Sequence, residues 1–469
     1  MRQRLNPLPL YLGEFRMKGI ISAFFAFIFC LSLVSCRATE SALVHETALP
    51  SENTPTLETD DHALTFREVY DPETDYNSDL GSGMSTVLRT DDAYYYPGLI
   101  AAYLYYYDKV TGESGVLCPK PECLHDSERH NTGCAGNISA FDGQTVSYYK
   151  GKIYFDHETG FERVMYRMNP DGTGWERLFN IDCEEQYQPQ RMAVHRGKIY
   201  GSNITYIVRD AVSYETWNIT CWDLETGEFK VIYEEDTGGR PKMEFFGDYV
   251  YFYNTYYNYA KNEDGTLITD KEGVPQIVDK TFKIFRYDTK TEQVEKILDV
   301  NRGSEIEGNA YNIRVAAEDR IYVAASGDGE KIYMLSEGEL KEVFTVERKY
   351  QIRLLEDRVW AYYFFSRGGN ESKNNMIMHS LIMDYNGNVI FEGDTDSFLD
   401  FNIEGFTEET WISYTEGQFY ADNAYFVIYL YRFNRTPDPE NSSRFSCLVK
   451  YEIINGKFEQ TMIAVEKWC

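Results

Sequence analysis

Positive charge is scarce in this sequence. Its 469 residues include 46 lysines and arginines but 75 aspartates and glutamates, so the formal net charge is −29. Nucleic acids and anionic bilayers repel such a chain, and neither is expected as its main partner. Aromatic residues, in contrast, make up 16 % of the chain, with 39 tyrosines among them. That much surface available for burial excludes a largely disordered protein.

Recognisable catalytic motifs are also lacking. The sequence contains no Gly-x-Ser-x-Gly, no His-Glu-x-x-His and no phosphate-binding loop. Among the seven histidines, His157 and His195 lie beside predicted strands, where we expect a structural role. An enzyme with this sequence would need catalytic groups that are dispersed along the chain and gathered by the fold.

The N-terminal region has the features of an export signal. Lys18 precedes an apolar run at 19–31, and the segment 33–36 resembles a bacterial lipobox that ends at Cys36. An apolar core this short is typical of a secretion signal and not of a spanning helix. We therefore predict a lipoprotein signal peptide at 1–35 and a diacylated Cys36 that holds the exported protein on the outer face of the cytoplasmic membrane. The alternative is an ordinary signal with an unmodified cysteine.

Composition predicts the remaining domain boundaries. The 16 residues before Met17 precede an already complete signal, so Met17 is an alternative translation start. Residues 37–63 are rich in Ser, Thr, Glu and Pro and hold no aromatic residue, which predicts a disordered tether over 36–63 that begins at the acylated cysteine. Residues 64–469 contain no further apolar run near 18 residues and no Pro/Gly-rich linker, which favours a single domain.

The rest of the chain is repetitive. A turn pair followed by an aromatic-rich strand recurs seven times, at 91–96, 150–155, 196–200, 246–252, 318–323, 356–361 and 422–427. A second strand pair with an Asp-x-x-x-Gly or Asn-Gly turn follows most copies, and these turns suit tight hairpins. No helical stripe longer than about ten residues is present after the tether.

Two hairpins per repeat predict four-stranded antiparallel sheets. Such sheets bury their faces when they pack radially, so we predict an all-β fold, a β-propeller in which seven blades are favoured and six or eight are alternatives. A stack of sandwiches is the competing architecture. We also expect residues 64–70 to form a strand that closes the ring against the last blade.

The lipobox, the Gly-Lys-Ile-Tyr-Phe strand at 151–155 and the segment 166–174 resemble a group of uncharacterised lipoproteins of clostridial-type Gram-positive bacteria. Those proteins carry a propeller domain similar to that of low-density-lipoprotein-receptor-related proteins and, distantly, to TolB-type propellers. The resemblance covers roughly 85–469. It implies the propeller fold and implies no catalytic activity.

One compact group of metal-binding side chains is present, in a cysteine-rich insert at 117–136. Cys118, Cys123, His125 and Cys134 have the spacing Cys-x₄-Cys-x-His-x₈-Cys. Thiolates and imidazole are the ligands of zinc, whereas export allows a disulfide between two of the cysteines, and free thiols are the third alternative. Zinc is thus the one cofactor that the sequence suggests. The mature chain has an odd number of non-lipidated cysteines, so at least one lies outside any intramolecular disulfide.

A tyrosine-rich stretch is the candidate binding surface. Tyr253, Tyr256, Tyr257 and Tyr259 combine flat apolar rings with hydroxyl groups, which suit stacking on sugars or peptides. The alternative is that they are ordinary strand aromatics of the propeller.

These observations support two functions. The first is a monomeric, membrane-anchored binding or scaffolding module for a glycan, a peptide or a protein partner. The second is an exported propeller enzyme, a glycan lyase or hydrolase, that acts through dispersed channel residues. A convergent His–Tyr–carboxylate group in the central channel would favour the enzyme.

Overall fold

The structure is a computed structural model. It describes residues 64–76, 87–97, 103–123, 125, 131, 133–138, 146–159, 162–181, 183–184, 187–189, 191–209, 212–236, 241–271, 274–301, 306, 309–366, 376–396, 411–421, 423–433 and 444–468. The chain divides into two compact units, Met1–Asp60 and Asp61–Cys469, and all described residues belong to the second. The predicted signal peptide, Cys36 and most of the tether lie outside the described residues.

The fold is all-β. In the described residues, 28 strands form seven four-stranded antiparallel sheets, and each sheet consists of four consecutive strands in the order 1-2-3-4. This arrangement confirms the predicted β-propeller with seven blades. One short helix, α1 (Phe66–Val69), precedes the first blade.

The blades are numbered along the chain. Blades 1 to 4 contain β1 (Leu88–Arg89), β2 (Ala93–Pro97), β3 (Leu104–Asp108), β4 (Ser114–Val116), β5 (Ser147–Tyr149), β6 (Lys152–Thr159), β7 (Glu162–Met168), β8 (Glu176–Asn180), β9 (Arg191–His195), β10 (Lys198–Arg209), β11 (Val212–Asp223), β12 (Phe229–Asp236), β13 (Lys242–Phe246), β14 (Tyr249–Tyr259), β15 (Ile277–Asp288) and β16 (Val294–Asn301). Blades 5 to 7 contain β17 (Asn309–Ala317), β18 (Arg320–Ser326), β19 (Gly329–Ser336), β20 (Glu339–Glu347), β21 (Gln351–Leu354), β22 (Arg358–Ser366), β23 (Met376–Asp384), β24 (Val389–Asp396), β25 (Trp411–Ala421), β26 (Ala424–Phe433), β27 (Arg444–Ile454) and β28 (Lys457–Trp468).

The repeated sequence pattern marks the second strand of each blade. All seven copies coincide with the turn before β2, β6, β10, β14, β18, β22 or β26 and with the start of that strand. In the turns Lys150-Gly151 and Arg196-Gly197 both residues have positive φ, between 45° and 81°. Two-residue hairpins need this conformation, because it matches the twist of the flanking strands.

The hydrophobic core is divided among the interfaces between neighbouring blades. The described buried residues form seven clusters, and each cluster joins two adjacent blades, including blade 7 and blade 1. The first strands of neighbouring blades contact one another at β1–β5, β5–β9, β13–β17 and β17–β21. The first strand of each blade is therefore the innermost one, next to the axis of the ring.

Among the strands that the structure describes, the ring closes without an exchange of strands. Blade 1 uses only β1–β4 and blade 7 only β25–β28, and their interface is made by side chains such as Tyr94 and Phe426, whose ring centroids are 5.2 Å apart. The prediction that 64–70 forms a closing strand against the last blade is wrong. Most of this segment is the helix α1, and Thr65 forms an isolated bridge with Ala317 of blade 5.

The segment 64–76 instead lies across one end of the ring. It contacts blades 5 and 6 through the bridge from Thr65 to Ala317 and the ion pairs of Arg67 with the 356–357 turn. It reaches blades 2 and 3 where the Lys150 and Arg196 backbone N–H groups donate to carbonyls of Glu73 and Thr74. Phe66 packs on Phe246 of blade 4, and the Arg89 guanidinium of blade 1 lies over the Tyr70 ring. A segment that touches the inner ends of six blades around a ring must cross its axis.

Buried polar contacts fix the end of this segment. Tyr76 N–H donates to Nδ1 of His195 at 3.1 Å, and the other ring nitrogen of His195 lies 2.8 Å from the Gly247 carbonyl oxygen. The Asp75 carboxylate accepts two hydrogen bonds from Arg196, at 2.6 and 3.1 Å. Burial lowers the pKa of His195 to about 4, against the opposing effect of Asp75. His195 is thus a neutral structural residue, as predicted.

In the described part of the chain, no helix is long and apolar enough to cross a membrane.

Candidate metal centre and ligand-binding face

Because the strands of each blade run alternately up and down, each connection between strands lies on one of two faces of the ring. Connections from first to second and from third to fourth strands are short turns, and they share one face. Connections from second to third strands and between blades share the opposite face, because each strand crosses the sheet once. We call these the turn face and the loop face. The segment 64–76 covers the axis at the turn face.

The cysteine-rich insert interrupts the outermost strand of blade 1. The Leu117 N–H donates to the Leu104 carbonyl and extends the β3–β4 ladder by one residue. The Leu104 N–H then donates to the carbonyl of Gly136, and Asn137 bridges Tyr103. The chain therefore leaves the sheet after Leu117 and rejoins the same strand at Gly136. We call residues 118–135 the excursion.

The excursion brings the four predicted ligands together. One ligand atom each of Cys118, Cys123, His125 and Cys134 lies within 4.8 Å of the others, and all three cysteines are free. A tight turn precedes each of two cysteines. The Cys123 N–H donates to the Lys120 carbonyl, and the Cys134 N–H donates to the Asn131 carbonyl. His125 has a φ of 47°, a left-handed conformation that is uncommon for a residue other than glycine.

The surroundings of the cluster shift the pKa values of two of its thiols in opposite directions. Burial raises the pKa of Cys134 to about 12, and the two neighbouring cysteines add to this effect. For Cys118 burial acts in the same direction, but His125 and the backbone N–H groups of Lys120 and Ala135 outweigh it and lower the pKa to about 6. Hydrogen bonds to a thiolate stabilise its charge, and a thiolate is the form that binds a metal.

The excursion packs against blade 2. Trp175 Nε1–H donates to the Ala135 carbonyl at 3.0 Å, and the Trp175 ring lies 4.8 Å from the Phe155 centroid in an edge-on arrangement. Gly172 faces the Leu117 carbonyl so closely that a Cβ there would lie 2.7 Å from the oxygen. His157, as expected, has a structural role, with Nδ1 at 3.2 Å from the Ile138 carbonyl.

The tyrosine-rich stretch does not form one binding surface. Tyr253 and Tyr256 are buried, at 4 % and 2 % exposure, so their assignment to a binding surface is wrong. Tyr253 donates to Asn312 at 2.9 Å, and Tyr256 packs on Trp217. Tyr257 and Tyr259 are half-buried, with ring centroids 6.4 Å apart. The prediction failed because both faces of a blade pack against neighbours, so aromatic side chains on either face are buried.

The inner strands instead carry the opposite charge to the rest of the chain. The first strands of blades 1 to 6 contain five basic residues and a single carboxylate, Glu244; the bases are Arg89, Arg191, Lys242, Arg314 and Arg353. In blade 7, β25 contributes Glu416, whose side chain lies outside the described part. The whole chain has 75 acidic and 46 basic residues. The axis is thus a basic region inside an acidic protein.

The strand register places four hydrogen-bond donors at equivalent positions of four first strands. In each of four blades, one polar residue of the first strand pairs with the fifth residue of the second strand. The pairs are Arg191 with Ser202, Lys242 with Tyr253, Asn312 with Ala324 and Gln351 with Tyr362. The four first-strand residues come from the consecutive blades 3 to 6. We call them the donor level.

The amide side chains of this level are oriented by tyrosines. The Asn312 oxygen accepts a hydrogen bond from Tyr253, and the Gln351 oxygen accepts one from Tyr362 at 2.9 Å. Each amide is thereby left with its NH₂ group as the donor. The Lys242 ammonium donates to the Tyr311 carbonyl at 2.7 Å and has two further N–H groups. Together with the guanidinium of Arg191, the level consists of donor groups that suit oxygen-rich or anionic ligands.

Nearer the turn face the charges are paired and covered. Arg314 donates to Glu244 at 2.7 Å and lies over the ring of Phe66, while Arg89 donates to Glu356 at 2.9 Å. The segment 64–76 therefore seals an already neutralised end of the axis. A sequence signal for the donor level exists in part, because Arg191 and Lys242 are the first residues of strands that precede two of the repeated turns. The level itself depends on register between blades, which spacing alone does not reveal.

No protein-family model matches the sequence, and the search of curated proteins gives no match. Solved structures that the chain resembles include a prolyl endopeptidase, at 13 % identity and a TM-score of 0.44, over 84 % of this chain and 51 % of that one. They also include the β-propeller domain of the Trilobed protease from Pyrococcus furiosus, at 12 % identity, a TM-score of 0.40 and coverages of 82 % and 98 %. TolB from Acinetobacter baumannii aligns at 12 % identity and a TM-score of 0.26, with coverages of 81 % and 78 %.

The neighbours thus include TolB and other β-propellers. The chain spans about half the length of the first solved structures it matches. At these identities and TM-scores the likeness concerns the fold alone, and the activities of those proteins are not evidence about this chain.

Proposed function

We propose that this protein is a membrane-anchored extracytoplasmic lipoprotein whose propeller is a binding module for an acidic glycan. The observation that carries the proposal is the donor level, which lies on an axis that the segment 64–76 closes at the turn face. A ligand that enters from the loop face meets basic and amide donors from four consecutive blades. Carboxylates of a uronic-acid sugar accept such hydrogen bonds, and the sugar hydroxyls can do so as well.

The observed side chains favour binding over catalysis. The titratable His195 lies at the covered turn face, at the opposite end of β9 from Arg191. In the first strands of blades 1 to 6, the one carboxylate, Glu244, accepts a hydrogen bond from Arg314. A binding or scaffolding role needs only the ring and the donors, so the glycan enzyme remains the second hypothesis without a specific observation in its favour.

Removing charge from the donor level should weaken binding. The probe is an oligogalacturonide, and its methyl-esterified form serves as the neutral control of the same sugar. We expect Arg191→Gln and Lys242→Gln each to lower affinity for the acidic form about tenfold, equivalent to about 1.4 kcal/mol. Calorimetry at two salt concentrations measures both the affinity and its electrostatic part.

The matched control is Lys341→Gln, on the outer strand of blade 5, where Lys341 pairs with the exposed Glu339. This variant removes the same charge far from the axis and should bind as well as the wild type. Equal binding of the acidic and esterified sugars would contradict the proposal. Binding of a glutamate-rich peptide in place of the sugar would assign an acidic peptide as the ligand, and a single-stranded oligonucleotide should not bind.

The lipid anchor is tested separately. Cys36 is the residue that the lipobox marks for diacylation, and two acyl chains give stable membrane attachment. We expect Cys36→Ala to release the protein from the membrane fraction into the medium, as measured by fractionation and immunoblotting. Cys183→Ala, a change of the same residue type within the propeller, should stay with the membrane. Unchanged membrane retention of the Cys36→Ala variant would refute lipidation at this position.

A further inference from the structure

The excursion is held at the points where it leaves and rejoins the sheet. Cys118 directly follows Leu117, the last residue before the chain departs, and Cys134 lies two residues before Gly136, where the ladder resumes. Cys123 and His125 come from the loop between them. Groups from the beginning, middle and end of the excursion therefore converge on one point.

We propose that Cys118, Cys123, His125 and Cys134 bind one zinc ion that fixes the excursion to the outer strand of blade 1. Three thiolates and one imidazole form a donor set that zinc prefers, and four protein ligands make a closed, structural site. Zn–S and Zn–N bonds of about 2.0–2.3 Å place tetrahedral ligand atoms about 3.3–3.8 Å apart. The observed limit of 4.8 Å requires a contraction of about 1.5 Å at most.

The buried Nε2 atom of the half-buried His125 is the second observation. Among the described residues, this atom has no hydrogen-bond partner. A buried imidazole nitrogen without a partner is costly, and a metal ion would satisfy it. The amide of Asn131 lies 3.9 Å from the Cys123 sulfur, and such N–H contacts to sulfur are typical of the groups that orient metal-bound thiolates.

A disulfide explains fewer of these features. It would join two of the three sulfurs and leave the third thiol and the imidazole, which point at the same place, without a role. The zinc ion uses all four groups. Its position also accounts for the contact with blade 2, since the excursion end at Ala135 accepts the Trp175 hydrogen bond. This inference is independent of the ligand proposed for the donor level.

Metal analysis of the purified full chain tests the site. We expect about one zinc ion per chain, and less than about a tenth of that in Cys134→Ser and in His125→Asn. Asparagine tolerates the positive φ of His125, so the second variant removes the imidazole without straining the backbone. Cys183→Ser, the same change outside the cluster, should keep the full zinc content. Cobalt added to the metal-free chain should give the visible bands of tetrahedral thiolate coordination, and His125→Asn should alter them.

Thiol titration separates the alternatives. In denaturant with a chelator and no reductant, the zinc site predicts that all three cluster thiols react. Two cluster thiols that react only after reduction would overturn the proposal in favour of a disulfide. A zinc-free wild type with three reactive thiols would overturn it as well. If Cys134→Ser fails to fold, the circular dichroism of His125→Asn, together with its zinc content, decides the question.

Discussion

Replacing Trp217 with alanine should lower the free energy of unfolding by about 3–5 kcal/mol. Trp217 is fully buried between blades 3 and 4, and its ring lies 5.3 Å from Tyr233, 6.0 Å from Phe252 and 5.9 Å from Tyr256. The truncation loses both the buried apolar area and these ring contacts, and it leaves a cavity in the cluster that joins the two blades. Urea unfolding followed by far-ultraviolet circular dichroism measures the loss.

Trp217→Phe is the matched variant for this prediction. It retains an aromatic ring in the same cavity, so its loss should be smaller, about 1–2 kcal/mol, because the site is only partly emptied. A loss below about 1 kcal/mol for the alanine variant would show that the interface between blades 3 and 4 is not packed as described.

Acidification should destabilise the protein through His195. Burial lowers its folded-state pKa to about 4, whereas the ordinary value is 6.5. Between these values the unfolded chain binds a proton that the folded chain does not, so the free energy of unfolding falls as the pH falls. The stabilisation is complete above pH 6.5, and the full loss on reaching pH 4 is about 3 kcal/mol.

Three charged residues surround His195, and the control variant leaves all of them in place. Asp75 lies 3.8 Å from its Nδ1, and Arg196 and Asp248 are the other charged neighbours. We expect His195→Asn to be less stable at neutral pH but to show a flatter pH dependence between 6.5 and 4, because asparagine does not titrate. Urea unfolding at several pH values measures both slopes. If the variant and the wild type have the same slope, the pH dependence comes from other groups.

The sequence predicted those parts of the fold that rest on local conformation. The pairs Lys150-Gly151 and Arg196-Gly197 supply positive φ angles wherever they occur, so the hairpin turns could be located before any tertiary contact was known. Because one copy of the repeated pattern marks the second strand of each blade, counting the copies also counted the blades. Seven blades followed from seven copies.

The N-terminal segment shows where a local pattern was ambiguous. Residues 64–67 alternate apolar and polar side chains as a strand does, yet Phe66–Val69 is helical. A helix signal was present, since the Glu68 carboxylate accepts a hydrogen bond from the Thr65 N–H at 2.7 Å, as in a Thr-x-x-Glu capping box. Its docking on six blades depends on contacts far apart in sequence, which no local pattern encodes.

The candidate sites were likewise predictable from the sequence only in part. Spacing identified Cys118, Cys123, His125 and Cys134 as a group, but their convergence on one point and the buried Nε2 atom of His125 are seen only in the fold. The donor level was missed, because Arg191 and Lys242 are far apart in sequence and meet only through the registers of separate blades.

The absence of strand exchange between blade 1 and blade 7 bears on biosynthesis. As far as the structure describes the sheets, each blade is complete once its own four strands have been made, because none of these strands pairs with a strand from a distant part of the chain. Blades can therefore assemble one after another as the polypeptide emerges, each docking on its predecessor through contacts of short sequence separation. The interface between blades 1 and 7, which includes the contact of Tyr94 with Phe426, can form only after the last blade has been made. The final step is therefore the packing of two blades that have already folded.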